Sequence, residues 1–162
     1  MIANAVKRAS DVIDRISCWL VVLTMGGMVF FTALQIIFRV YLQALSWSEE
    51  VVRYLLVWST FIGAGCVYKR AGHINVTFIQ DFFKGKAKKF IQLLVQLLNS
   101  IFFAAAVYYG IQYMEKQGSQ VAAALPIPMS LMYMAIPVGF GILLLHSVSA
   151  LVEAGTNKGV EK

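Results

Sequence analysis

The sequence predicts an all-α integral membrane protein with four transmembrane helices, short amphipathic interfacial helices and both termini in the cytoplasm. Of its 162 residues, 59% are apolar and 14% are charged, and the mean hydropathy is +0.72. Soluble domains are roughly 45–50% apolar and about 25% charged. This composition excludes a water-soluble enzyme, and a chain this apolar is not expected to be disordered. We therefore expect a single membrane domain that covers residues 1–162.

Four apolar stretches are long enough to cross a bilayer, which takes about 20 mainly apolar residues. Their Asp, Glu, Lys and Arg residues are confined to the start of the second stretch. Ser46-Trp47-Ser48-Glu49 has the form of a capping box, so the second helix should begin near Trp47. The first stretch is too long for a signal peptide and lacks a small-residue cleavage site, so we expect the mature chain to begin at Met1. The predicted spans are residues 16–38, 47–68, 90–113 and 129–152.

Two further segments have the pattern of helices that lie along the lipid headgroups. In residues 1–15, apolar side chains recur at helical spacing, and charged side chains occupy the other faces. In residues 74–84, apolar pairs one helical turn apart are followed by a run of lysines. We expect this run to bind anionic phospholipids, and its members are Lys84, Lys86, Lys88 and Lys89.

The positive charges predict the orientation, because cytoplasmic loops are enriched in Lys and Arg. Most of the 14 Lys and Arg residues lie on one side of the predicted spans, and the exceptions are Arg39, Arg53 and Lys116. That side holds both termini and the loop between the second and third spans, and it should be cytoplasmic. The loops around residues 39–50 and 114–128 should face outward. The acidic residues on the outward face are Glu49, Glu50 and Glu115.

No residue pattern indicates a catalytic, metal or cofactor site in this chain. Cys18 and Cys66 are the only cysteines, lie in separate spans and form no Cys-x-x-Cys pair. We interpret them as small buried hydrophobic residues, and near the cytoplasmic face a disulfide is not expected. His73 and His146 leave open a second hypothesis, a haem or quinone membrane anchor of a respiratory complex. His73, however, falls in a surface loop instead of a span.

The spans also lack the ionisable group that a transporter acting alone normally holds at mid-membrane. An autonomous small multidrug exporter is the third hypothesis. Such four-helix exporters are similar in size, but they depend on a buried glutamate in the first helix, and residues 16–38 contain none. Nucleic acid is not an expected partner, since no stripe of basic and aromatic residues could follow a phosphate backbone.

Polar and small residues within the spans are candidate helix contacts. Three amide side chains of the third span follow one another at i, i+4 and i+7, namely Gln92, Gln96 and Asn99. They could bond within this chain's own bundle or form a seam for a foreign partner. Ser59 and Gly63 form a small-xxx-small pair that allows close helix approach. In the fourth span, Pro137 predicts a kink.

The start of the second span has the most distinctive local sequence. Trp47 fits the aromatic belt of a membrane interface. Arg53 follows Glu49 by four positions and Glu50 by three, so an ion pair at the interface is geometrically available. This segment either caps and anchors its own helix or provides a docking patch for another protein.

The order of these motifs resembles a known family. Trp47-Ser48-Glu49-Glu50 is followed by Arg53, by Phe61-Ile62-Gly63-Ala64 and by Lys69-Arg70-Ala71-Gly72-His73-Ile74. In this order and spacing the chain closely resembles, over nearly its whole length, the small membrane subunit (DctQ type) of tripartite ATP-independent periplasmic (TRAP) transporters. One departure is Thr77, at a place where many members of the family carry an aspartate.

The resemblance implies a sodium-coupled secondary transporter of three parts in the bacterial inner membrane. A periplasmic solute-binding protein captures an acidic solute, a carboxylate such as a C4-dicarboxylate or sialic acid. A large membrane subunit of the DctM type holds the substrate and sodium sites, so no cofactor is expected in this chain. The small subunit acts as a scaffold and anchor for the large one and helps to dock the binding protein.

The residue pattern and the resemblance together indicate two candidate surfaces. The expected interface with the large subunit consists of Trp47, Glu49, Glu50, Arg53, Ser59, Gly63, Gln92, Gln96 and Asn99. The expected docking surface for the periplasmic binding protein consists of Glu49, Glu50 and Glu115.

Overall fold

The computed structural model describes residues 2–43, 45–71 and 86–155, and these residues form a bundle of helices. Four helical segments are long and apolar enough to cross a membrane, which confirms the four predicted spans. The described residues contain no β-strand, only an isolated bridge between Val121 and Pro128. The helices are α1 (Ile2–Tyr41), α2 (Ser46–Ala71), α3 (Lys86–Lys116), α4 (Ser130–Tyr133) and α5 (Ala135–Gly155).

Helix α1 differs from the sequence prediction, which placed a separate surface helix at residues 1–15. The structure has one continuous helix of 40 residues, because no Pro or Gly interrupts its first 24 residues. At about 1.5 Å per residue it is about 60 Å long, roughly twice the thickness of the hydrocarbon core. The part of α1 before the predicted first span, residues 2–15, is called here the N-terminal extension. An ion pair of 2.7 Å between Lys69 Nζ and Asp11 Oδ1 joins it to α2. The second predicted surface helix, residues 74–84, lies outside the described residues.

The helical hydrogen bonding of the fourth span is interrupted at Met134, between α4 and α5, although Met134 keeps helical dihedral angles (φ −60°, ψ −23°). Pro137 explains the position of this interruption, because it has no N–H to donate to the carbonyl of Tyr133, four residues earlier. Helical bonding resumes one residue later, where the Val138 N–H donates to the Met134 carbonyl at 3.2 Å. Pro137 therefore removes one helical hydrogen bond near the start of the span, and the kink itself stays a prediction.

Helices α2 and α5 form the centre of the bundle, and they meet through glycine. A Cβ atom at Gly139 would lie 2.7 Å from Phe61 Cβ and 3.0 Å from the Phe61 carbonyl oxygen, so only glycine allows this approach. A Cβ atom at Gly65 would likewise lie only 2.6 Å from Ile142 Cγ2 of α5. Helix α1 packs chiefly on α2, and α3 packs chiefly on α5. A Cβ atom at Gly63 would lie 3.7 Å from Val21 Cγ2, an ordinary contact, so the approach of α1 to α2 at the Ser59 and Gly63 pair does not require glycine as the Gly139 contact does.

The interior of the bundle holds polar as well as apolar side chains, and its exterior is apolar, as expected in lipid. The buried polar side chains are Ser10, Ser17, Ser48, Ser59, His146, Ser147 and Ser149. Large apolar side chains face outward on α1 and α3, for example Leu23 (67% exposed) and Phe102 (61% exposed). Lipid tails are as apolar as these side chains, so helix association depends on close packing and on internal hydrogen bonds.

We predict that Gly139→Ala lowers the stability of the bundle by about 1–3 kcal/mol, because the added methyl group overlaps the Phe61 backbone. The measurement is thermal unfolding of the detergent-solubilised chain. Gly141→Ala is the matched control in the same helix, since a Cβ atom there meets nothing within 4 Å. Equal unfolding temperatures for the two variants would contradict the proposed contact.

Candidate partner interface

A lateral groove of about 1090 Å³ opens between α1 and α3, and α2 forms its floor. Helix α1 contributes Val21 and Met25, and α3 contributes Ile91, Val95 and Asn99. The floor from α2 is rich in small side chains, which include Ser59, Gly63 and Ala64. Such a lining lets another helix approach closely. Three of the predicted interface residues, Ser59, Gly63 and Asn99, therefore come together in one groove.

Asn99 is the most informative residue of the lateral groove. Its side chain is half-buried and makes no hydrogen bond to any of the described residues. An amide carries two donors and two acceptor sites, and in an apolar environment each of them favours a partner. The amide of Asn99 is therefore available to a polar group of an incoming helix.

Gln96, one turn before Asn99, bonds within the bundle instead. Its Nε2 donates to the Tyr68 hydroxyl at 2.9 Å, to the Ser147 carbonyl at 2.8 Å and to the Ser147 hydroxyl at 2.9 Å. The Ser147 hydroxyl also lies 2.8 Å from the Ser100 hydroxyl. This network joins α2, α3 and α5. Of the two interpretations that the sequence left open, Gln96 matches packing inside this chain, whereas Asn99 faces the groove.

The end of the bundle that holds the start of α2 and residues 117–129 is called here the loop end. Glu50 organises it by accepting three hydrogen bonds from successive backbone N–H groups of the loop, at 3.1, 2.8 and 2.9 Å. The donors are Ala123, Ala124 and Leu125. Successive amides that converge on one carboxylate form an anion-binding nest. The loop is closed further by the Val121–Pro128 bridge and by the Ala122 N–H, which donates to the Ile127 carbonyl at 2.9 Å.

The other predicted residues of the loop end have different environments. Glu49 accepts a hydrogen bond from Gln35 Nε2 on α1 at 3.0 Å. The Trp47 ring packs edge-on against Phe31 of α1, with 6.1 Å between the ring centroids. Arg53 is exposed, and in the described part of the chain no ion pair joins it to Glu49 or Glu50. Glu115 is exposed near the end of α3. The available ion pair of Arg53 therefore does not form, since both carboxylates have other partners.

Sequence reasoning did not find the bond between Glu50 and the loop. The two segments are more than 70 positions apart, and nothing in their local sequences relates them. Sequence did indicate that the start of α2 is distinctive. The other predicted residues lie wholly or partly outside the part of the chain that the structure describes. Lys84 is one of them, and so are the side chains of Lys86, Lys88, Lys89 and Gln92 in α3.

His146, one of the two candidate haem ligands, is buried between the helices. His146 is 3% exposed, and its Nδ1 lies 2.8 Å from the Ser10 hydroxyl of α1. A Cβ atom at Gly65 of α2 would lie 3.9 Å from the His146 ring, and the buried Nε2 of that ring has no hydrogen-bond partner among the described residues. His73, the other candidate ligand, lies outside the described residues.

Comparison with known proteins identifies the family. Residues 28–156, about four fifths of the chain, match the family described as tripartite ATP-independent periplasmic transporters, DctQ component. The chain belongs to the DctQ family. This confirms the family that the sequence motifs resemble, and it identifies a membrane component of a transporter instead of an enzyme.

Several curated relatives of this DctQ-family chain are named as TRAP permeases. The sialic acid TRAP transporter small permease protein SiaQ of Vibrio cholerae is 29% identical over 57% of this chain and 54% of the relative. The ectoine TRAP transporter small permease protein TeaB of Halomonas elongata is 23% identical over 73% of this chain and 62% of the relative. The isethionate TRAP transporter permease protein DctMQ of Oleidesulfovibrio alaskensis is 23% identical over 74% of this chain but only 20% of the relative. The chain thus spans little more than half the length of the small permeases that it matches.

We predict that Glu50→Gln loosens the loop end without unfolding the bundle. A neutral amide keeps one acceptor oxygen and turns an N–H₂ group toward the loop amides, so the charge-assisted bonds are lost. Such bonds contribute about 1.5–3 kcal/mol, so amide exchange at Ala123, Ala124 and Leu125 should become at least about tenfold faster. Hydrogen exchange followed by mass spectrometry measures this rate. Glu49→Gln is the control, and equal rates in the two variants would contradict the role of Glu50.

We predict that two substitutions in α3 differ in their effect on the stability of the isolated chain. Gln96→Leu removes the bonds to Tyr68 and Ser147 and should lower the stability of the isolated chain by about 0.6–2 kcal/mol. Asn99→Leu breaks no bond within the described residues and should leave thermal unfolding of the isolated chain unchanged. If Asn99→Leu destabilises the isolated chain as much as Gln96→Leu does, the assignment of Asn99 to the lateral groove is wrong.

Proposed function

We propose that this DctQ-family chain is the small scaffold and anchor subunit of a sodium-coupled TRAP transporter that imports an acidic solute. The solute is a carboxylate, such as a C4-dicarboxylate or sialic acid, delivered by a periplasmic solute-binding protein. The chain stabilises a large DctM-type permease subunit in the bacterial inner membrane. Both of its termini lie in the cytoplasm, and the loop end faces the periplasm.

The lateral groove is the observation that carries this proposal. Its small side chains from α2 and the amide of Asn99, which bonds to none of the described residues, suit a membrane helix that brings small residues and one polar group. We assign this helix to the large subunit. The DctMQ relative supports the assignment, because the part similar to this chain makes up only a fifth of that permease. There, the remaining four fifths belong to the same polypeptide.

The composition of the spans favours a scaffold role over transport by this chain alone. Residues 16–38, 90–113 and 129–152 contain no Asp, Glu, Lys or Arg, so they offer no charged side chain for an ion. Gln96 and Ser147, two polar residues of the described bundle, bond to each other. We therefore place the sodium and solute sites in the large subunit, with no cofactor in this chain.

The loop end is the proposed docking surface for the periplasmic binding protein. Glu50 shapes the loop of residues 117–129, and Val121 on this loop is 65% exposed. Glu49 and Glu115 are exposed nearby on α2 and α3 and supply negative charge. In this proposal Glu50 acts through the loop conformation, whereas Glu49 and Glu115 contact the partner.

The opposite end of the bundle is the proposed membrane anchor. Lys69 and Arg70 at the end of α2 lie beside the N-terminal extension of α1, where Lys69 pairs with Asp11. Positive charge on the cytoplasmic side is attracted to anionic phospholipids, at about 1 kcal/mol for each Lys or Arg near the surface. The lysines predicted from sequence for this role are Lys84, Lys86, Lys88 and Lys89.

We predict that a photo-crosslinking amino acid at Val95, in the lateral groove, captures a much larger polytopic membrane protein in cells that express the whole transporter. The matched control is Leu97, two residues further along α3, which is 49% exposed and does not line the groove. The measurement is mass spectrometry of the crosslinked product. Capture at Leu97 and not at Val95 would move the interface to another face. Lipid adducts alone at both positions, together with no large membrane chain in a mild-detergent purification, would refute the scaffold function.

A further inference from the structure

The two cysteines of the chain meet at the basic end of the bundle, defined here by the start of α1 and the end of α2. Cys18 of α1 and Cys66 of α2 are 48 positions apart, but their Sγ atoms lie 3.0 Å from each other. Sequence analysis interpreted them as separate buried hydrophobic residues. The structure instead places two thiols on different helices within reach of one covalent bond.

Charged side chains surround one of the two thiols. Arg70 Nη2 lies 2.9 Å from Cys18 Sγ, and Asp14 Oδ1 lies 3.7 Å from the same sulfur. A guanidinium beside a sulfur stabilises the thiolate, which is the nucleophilic form of cysteine. The contacts thus single out Cys18 as the more reactive thiol of the pair.

The two thiols also differ in access. Cys18 is half-buried and lines a polar cavity of about 550 Å³ together with Asp14, Arg15 and Arg70. Cys66 is 8% exposed and does not line this cavity. A reagent in the cavity would therefore meet Cys18 first, whereas Cys66 lines only the lateral groove.

We propose that Cys18 and Cys66 form a redox modification site that closes to an intramolecular disulfide on reaction with a small-molecule disulfide such as oxidised glutathione. The Cys18 thiolate attacks one sulfur of the reagent, which forms a mixed disulfide and releases one thiolate. Cys66 then attacks the Cys18 sulfur and releases the second thiolate. The two protons of the cysteines pass to the released thiolates, so the cysteine pair loses two electrons and the reagent gains them.

A soft metal ion is the competing ligand for this cluster. The ligand atoms of Asp14, Cys18 and Cys66 lie within 4.8 Å of one another, and thiolates with a carboxylate bind Zn²⁺. The guanidinium of Arg70 already occupies one side of Cys18, and its charge opposes a cation. These contacts favour thiol chemistry over metal binding, and the experiment below separates the two.

The disulfide would join α1 to α2 at one wall of the lateral groove, because both cysteines also line that groove. If the proposed function is correct, oxidation fixes α1 relative to the lateral groove in which the large subunit binds. The thiol chemistry itself belongs to this chain alone. It is therefore tested separately from the scaffold function, and either can fail without the other.

The experiment uses the full chain in lipid nanodiscs, treated with oxidised glutathione and then analysed by intact mass spectrometry and maleimide labelling. Wild type should lose two hydrogen atoms, add no glutathione and lose both reactive thiols, and dithiothreitol should restore them. A mixed disulfide that persists in wild type, a crosslinked dimer or two unreacted thiols would each overturn the proposal. Zn²⁺ that protects both thiols and remains bound through gel filtration would assign the cluster to metal binding.

Three variants test the assigned roles. Cys66→Ser should trap one glutathione on Cys18, because nothing remains to resolve the mixed disulfide, and Cys18→Ser should add none. Arg70→Gln should slow the first step about threefold, because it removes the guanidinium that lies 2.9 Å from the attacking sulfur. Lys69→Gln is its control, because Lys69 bonds to Asp11 and not to sulfur. Equal rates for the two variants would overturn the role of Arg70, and glutathione trapped on Cys66 would reverse the order of attack.

Discussion

Helices in a lipid bilayer gain little from hydrophobic contact with one another, because lipid tails are as apolar as leucine side chains. The bundle therefore depends on close backbone approach and on polar groups that bond internally. Gly139 brings α5 directly against Phe61 of α2, and Gln96 links α3 to Tyr68 and Ser147. These contacts occupy the middle of the bundle. They leave α1 and α3 at its edges, with the lateral groove between them.

The same constraint separates the residues that hold the subunit together from those available to a partner. Polar side chains that bond inside, such as Gln96, His146 and Ser147, have their roles within this chain. Asn99 lies in the groove without such a bond among the described residues, and small side chains surround it. At the loop end, Glu50 shapes the chain from within, while Glu49 and Glu115 are exposed. One helix thus carries an internally bonded amide, Gln96, and a groove-lining amide, Asn99, only one turn apart.

Composition and hydropathy were sufficient to predict the four spans, because a bilayer requires about 20 apolar residues from each of them. The family could also be predicted, since its motifs lie in a fixed order from Trp47 to Ile74. Contacts between distant segments could not be predicted from the sequence. The Glu50 nest and the Cys18–Cys66 contact join residues 48 or more positions apart, and they depend on how whole helices pack. The continuous α1 was missed because residues 1–15 have the amphipathic pattern of a surface helix.

The central claim is that this DctQ-family chain supports transport by another polypeptide and moves no solute itself. Reconstitution tests it most directly: the purified chain is placed in liposomes with an inward sodium gradient, a carboxylate solute and a matching binding protein. The account predicts no accumulation of solute by this chain alone, and accumulation once the large permease subunit is added. Sodium-driven accumulation in liposomes that contain only this chain would contradict it.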